Sequence, residues 1–80
     1  MNLVELTSFL VKSIVKDLES VSIKEIKDDD ITIIEVLVSN DDIKYVIGKN
    51  GVTANSIRTI VQASSYVNNL GKVKINSDSL

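Results

Sequence analysis

Leu3, Leu6, Leu10, Ile14 and Leu18 recur at spacings of three or four residues, and Val11 and Val15 widen the stripe. That period predicts an amphipathic helix over 3–19, with Lys12, Lys16, Asp17 and Glu19 off the stripe. Asn2 stands where a cap is needed, and Glu5, three residues later, completes a capping-box pair. The pattern then changes period. Ser22–Lys27 reads as a strand, but Val21, Ile23 and Ile26 break strict alternation, so a bulge or early bend is expected. Asp28-Asp29-Asp30 reads as a solvated hairpin turn, because the run lacks the ligand spacing of a calcium loop. Ile31–Val38 is the strongest strand. Ile34, Val36 and Val38 share one face, and Ile31, Ile33 and Leu37 share the other with Glu35. A strand apolar on both faces is central in its sheet, or lines a groove with one face.

Asn40 or Asp41 is expected to cap a short helix over Asp42–Ile47. After a glycine-bearing turn, Thr53–Asn69 reads as a longer helix. Its inner stripe would be Ala54, Ile57, Val61, Ser64 and Val67, with Ile60 beside it. Gly71 suits the left-handed residue at that helix's end. Lys72–Ile75 alternates outward Lys with inward Val and Ile, a short edge strand, and 76–80 is expected as a frayed tail. The predicted order is α-β-β-α-α-β. The fold class is α+β: a hairpin, then a right-handed helical crossover, giving a three-stranded mixed sheet with three helices on one face. Residues 1–80 read as one domain.

Composition narrows the chemistry. The chain has no His and no Cys, which removes the usual general base, thiolate and soft metal ligands. No paired carboxylates flank a pocket either, so an enzyme is not expected, nor a metal or cofactor. No apolar run approaches the roughly 20 residues of a membrane span, and the first residues lack a signal peptide's basic segment. A cytoplasmic location is expected. The net charge of −2 conceals a division. Residues 1–42 hold four lysines against ten acids, −6, whereas residues 43–80 hold four lysines and Arg58 against Asp78 alone, +4.

The basic half contains Val46-Ile47-Gly48-Lys49-Asn50-Gly51. Two glycines three apart allow a tight turn between helices. The second glycine opens a helix whose first amides lack internal partners and favour anions, so phosphates would lie along the turn. Lys49 adds charge at the tip without fixed geometry. Val46 and Ile47 anchor the turn from below. A groove between the two helices and the neighbouring strand would offer bases an apolar floor. An isolated G-x-x-G is a weak signal, but its setting here sharpens it.

That hexapeptide, with Ile57 six residues after the second glycine and α-β-β-α-α-β around it, resembles a KH domain of type II topology. The Asp42-Ile43-Lys44-Tyr45 lead-in and Ser56-Ile57-Arg58-Thr59 are similar to the small stand-alone bacterial KH proteins of the KH-domain RNA-binding protein A family. The resemblance covers nearly the whole chain. It implies a single-stranded RNA binder, an RNA chaperone or regulator linked to cell elongation and division. A KH glycine loop clamps about four nucleotides of backbone. The implied RNA-binding residues are Lys44, Ile47, Gly48, Lys49, Asn50, Gly51 and Arg58. The implied partner is a second copy, or a larger protein joining a KH domain to another nucleic-acid-binding domain. One position departs from the pattern. The residue after the second glycine, basic in this group, is Val52, which points to modest affinity. Val52 and Ile60 either form an apolar patch for a partner subunit or, for Ile60, merely edge the core. Tyr45 either stacks on a base or packs half-buried at the helix interface.

Two other readings use the same residues. A DNA-binding helix-turn-helix would need base-reading side chains early in the second helix, where only Asn55 and Arg58 stand. A protein-interaction module with a KH fold and little RNA affinity would suit the net charge and Val52.

Overall fold

The computed structural model describes residues Met1–Leu80. Helix α1 spans Leu3–Lys12, strands β1 and β2 span Ser22–Asp28 and Ile31–Val38, and helices α2 and α3 span Ile43–Ile47 and Val52–Val67. Strand β3, Lys72–Ser79, completes the α-β-β-α-α-β order. Short 3-10 turns lie at Leu18–Ser20 and Lys49–Gly51. The sheet order is β1-β2-β3, antiparallel between β1 and β2 and parallel between β2 and β3. The fold class is the one the sequence predicts, and β2 is central as its two apolar faces require.

Thr32, Ile34, Val36 and Val38 point from β2 into the core. They meet Leu3 and Val11 of α1, Val46 of α2, Ile57 and Val61 of α3, and Val73 of β3. All the buried hydrophobic side chains are aliphatic, so the core is held by many small apolar contacts rather than by rings. Ile31, Ile33, Glu35 and Leu37 face away on the uncovered side of the sheet.

Several details differ from the sequence reading. The β1–β2 ladder is unbroken from Ser22↔Leu37 to Asp28↔Ile31, so there is no bulge. Ile26 instead turns to the open face, paired with Ile33 and 41% exposed. Asp29 takes a left-handed φ of 54° in the two-residue turn. Segment 76–80 is not a frayed tail. β3 continues through Ser79, opposite Val38, and the Leu80 N–H donates to the Val38 carbonyl. Gly71 is left-handed as expected, at φ 86°, and Asn69, at φ 55°, takes a further left-handed position just past α3.

The largest difference is in the first helix, which ends at Lys12 instead of Glu19. The capping box at its start is as expected: the Glu5 N–H donates to Asn2 Oδ1 at 2.8 Å, and the Asn2 N–H to Glu5 Oε1 at 3.2 Å. Its end is set by a residue 26 positions away. The buried Asp42 carboxylate accepts from the Lys16 N–H at 3.2 Å and the Asp17 N–H at 2.9 Å. Those two amides are drawn across to α2 and cannot continue a helix. Asp42 therefore precedes α2 without capping it through its side chain, and neither Asn40 nor Asp41 caps it. The bond from the Asp17 N–H lowers the Asp42 pKa below its ordinary 3.8, with help from the Lys16 N–H, the Ser39 hydroxyl and the Lys16 charge, against an opposing effect of burial. A lowered native pKa means the folded state holds the charged form more strongly than the unfolded chain does. The resulting stabilisation is complete above the unfolded value and is lost as pH falls through the native one. Asp42→Asn is expected to lower Tm by roughly 10 °C at neutral pH, because the carboxamide keeps one acceptor oxygen but loses the charge and turns an NH2 donor toward the second backbone N–H. The gap between wild type and variant should narrow below about pH 4. A gap that stays constant into acid, in thermal melts across pH, would refute the charged clasp.

Candidate nucleic-acid interface

α2 ends at Gly48, whose N–H donates to the Lys44 carbonyl at 2.9 Å. Gly48 has φ 76° and ψ 171°, a region open only to glycine. A Cβ there would overlap the Thr53 hydroxyl oxygen and lie 2.8 Å from both Thr53 Cβ and the Thr53 backbone nitrogen. The first glycine is thus required by backbone conformation and by the close approach of α3. The Gly51 N–H then donates to the Gly48 carbonyl at 3.1 Å and closes the turn. Asn50 inside it is left-handed, φ 57° and ψ 25°, a conformation Asn tolerates better than most residues. Gly51, at φ 77° and ψ 12°, precedes α3 with no side-chain cap, so the first amides of a 16-residue helix are left without side-chain partners.

The structure brings Gly48, Lys49, Asn50 and Gly51 together as one turn, with Lys49 and Asn50 exposed, the two glycines and Ile47 half-buried and Val46 fully buried. Arg58 is exposed on α3, and Lys44 is exposed one helical turn before Gly48. The Lys44 ammonium lies 5.2 Å from the centre of the Tyr45 ring, and the Lys16 ammonium 5.3 Å from it. Tyr45 is 39% exposed, with an ammonium group near its ring from each of these two lysines.

α3 itself differs from the predicted pattern. Its buried positions are Ile57, Val61 and Ser65, while Val67, assigned to the inner stripe, is 75% exposed. Val52, Ile60, Ala63, Tyr66 and Val67 instead share a second, outward face with Ser56 and Thr59, and that face carries no charge. Val52 and Ile60 are 59% and 46% exposed and line one shallow cleft with Asn55, Ser56 and Thr59. The sequence contained this face, as apolar or small residues at i, i+4, i+8 and i+11 from Val52, but two apolar stripes on one helix merge into one when read by period alone.

The sequence matches the family model described as "KhpA/KhpB, KH domain" over residues 4–76. The chain belongs to this KH-domain family. Among curated relatives of the KH chain, RNA-binding protein KhpA of Clostridium perfringens is 38% identical over 65 residues, 81% of this chain and 87% of that protein. RNA-binding protein KhpA of Borreliella burgdorferi is 37% identical over 68 residues, covering 85% and 83%. That of Chlamydia pneumoniae is 35% identical over 66 residues, covering 82% and 85%. Proteins of this family are not enzymes. No helix of the KH chain is long and apolar enough to cross a membrane.

Proposed function

We propose that this KH chain, residues 1–80 as one domain, binds single-stranded RNA in the cytoplasm as an RNA chaperone or regulator. The observation that carries this is the Gly48–Gly51 turn, with exposed Lys49 at its tip and uncapped α3 amides behind it. The names of the relatives, each an RNA-binding protein KhpA, agree with it. Phosphates lie along Gly48–Gly51, where the positive end of the α3 dipole meets them. Lys44, Lys49 and Arg58 supply charge, and Ile47 holds the turn from beneath. None of these groups distinguishes one base from another, so the clamp sets affinity and register. Titration of a labelled mixed-sequence RNA across a salt series tests the reading. Three cations give an expected log–log slope of about −2. Absence of binding by the folded chain at any salt would refute it and favour a protein-interaction module.

A modest single site gains from pairing, because two linked sites multiply affinity through effective concentration. The uncharged outer face of α3, with Val52 and Ile60 at its centre, is the surface we assign to the partner, a second copy or the KH domain of a larger RNA-binding protein. Ile60→Asp places a charge on that face without touching the core. In sedimentation experiments the wild type is expected to be dimeric and this variant monomeric, with an unchanged circular dichroism spectrum. A variant that stays dimeric moves the interface elsewhere.

A further inference from the structure

α3 carries a third face. Asn55, Arg58 and Gln62, at i, i+3 and i+7, are all exposed and form a polar ridge between the core face and the uncharged one. Two contacts fix its direction. Asn55 Nδ2 lies 3.9 Å from where a Cβ on Gly51 would stand, so this carboxamide sits beside the loop's second glycine. At the far end, Gln62 Nε2 donates to the Val73 carbonyl at 3.4 Å. Val73 belongs to β3, an edge strand. The ridge therefore runs from the glycine turn to the free margin of the sheet, about 10 Å along the helix from Asn55 to Gln62.

We propose that Gln62 reads a base of the bound strand and favours adenine, an inference that rests on the RNA reading above. The loop cations and amides grip phosphate, which every nucleotide shares. Gln62 is different in kind. It is uncharged, and one of its two amide hydrogens is committed to the Val73 carbonyl. That bond orients the carboxamide plane and lowers the ordering cost of a further contact. With the hydrogen trans to Oε1 on the Val73 carbonyl, what remains is the N–H cis to that oxygen, a donor and an acceptor side by side. This is the pair a carboxamide presents to adenine, accepting from the exocyclic amine and donating to a ring nitrogen. The sequence reading passed over Gln62 because its significance comes from β3, which places a strand edge beside it.

The test measures affinity of short labelled oligo-A, oligo-C and oligo-U for the full-length wild type, Gln62→Ala and Gln62→Glu, each at several salt concentrations. Wild type is expected to prefer oligo-A over oligo-U roughly tenfold, the discrimination of one good bidentate contact. Gln62→Ala should remove the preference by weakening oligo-A alone, with oligo-U affinity and the salt slope changed less than about twofold. Gln62→Glu, which has no N–H to offer, should lose it as well. A preference that survives in Gln62→Ala overturns the inference, as does a wild type that binds all three RNAs equally. Equal weakening of every oligonucleotide by Gln62→Ala would mark the residue as structural and also overturn it. Binding of none of them by wild type removes the RNA reading itself, and this inference with it.

Discussion

A chain carrying Lys49→Asp and Asn50→Asp is expected to keep the wild-type circular dichroism spectrum and melting temperature and to bind single-stranded RNA about 100-fold more weakly. Both residues are exposed, and Asp at position 50 accepts the left-handed φ of 57° nearly as well as Asn, so the turn survives. The charge at the tip changes by −3, from +1 and 0 to −1 and −1. Each unit of charge within about 4 Å of a phosphate is worth about 1 kcal/mol even in water, and about 3 kcal/mol corresponds to roughly two decades in Kd. The loss should be similar for every RNA sequence and smaller at high salt, because it concerns phosphate and not bases. A folded double variant with unaltered affinity would take the glycine turn out of the mechanism.

The second large effect concerns stability and separates the two glycines of the motif. Gly48→Ala is expected to cost about 3 kcal/mol or more, a fall in Tm of roughly 12–20 °C. Conformation and contact both contribute. The φ of 76° with ψ of 171° excludes a Cβ, and the Thr53 backbone nitrogen, which cannot move away alone, lies 2.8 Å from where it would be. Gly51→Ala meets only the flexible end of Asn55, 3.9 Å away, so its cost is the left-handed conformation alone, about 1–2 kcal/mol. Thermal melts of the two variants should differ clearly. Equal losses would show that the Thr53 contact contributes nothing.

The sheet, the helix order and the glycine turn were legible because each is written in local periodicity or in adjacent residues. The capping box needed only Asn2 and Glu5, and the central place of β2 needed only its two apolar faces. What escaped depends on residues distant in sequence. Ile14 and Leu18 continue the period of α1 faultlessly, yet Asp42 takes the amides of Lys16 and Asp17 and the helix stops. Asn76–Ser79 have weak strand propensity, and the whole edge of β2 holds them extended. At the candidate site the turn itself could be read from its glycines. The separate faces of α3 could not, because the helix's rotation is set by the sheet beneath it, and a one-dimensional pattern does not contain that angle.

The parallel pairing of β2 with β3 also bears on how the chain reaches this fold. From Ile31↔Lys72 to Val38↔Ser79 every partner is 41 residues away, whereas the β1–β2 hairpin closes over two residues. A hairpin of that kind forms in about 1–10 μs. Closing the longer loop must first overcome the entropy of two helices and a turn finding their places. The hairpin and the helices are thus expected to assemble while β2 still has one unpaired edge, so that docking of β3 sets the folding rate and ends the interval in which that edge is open to another chain.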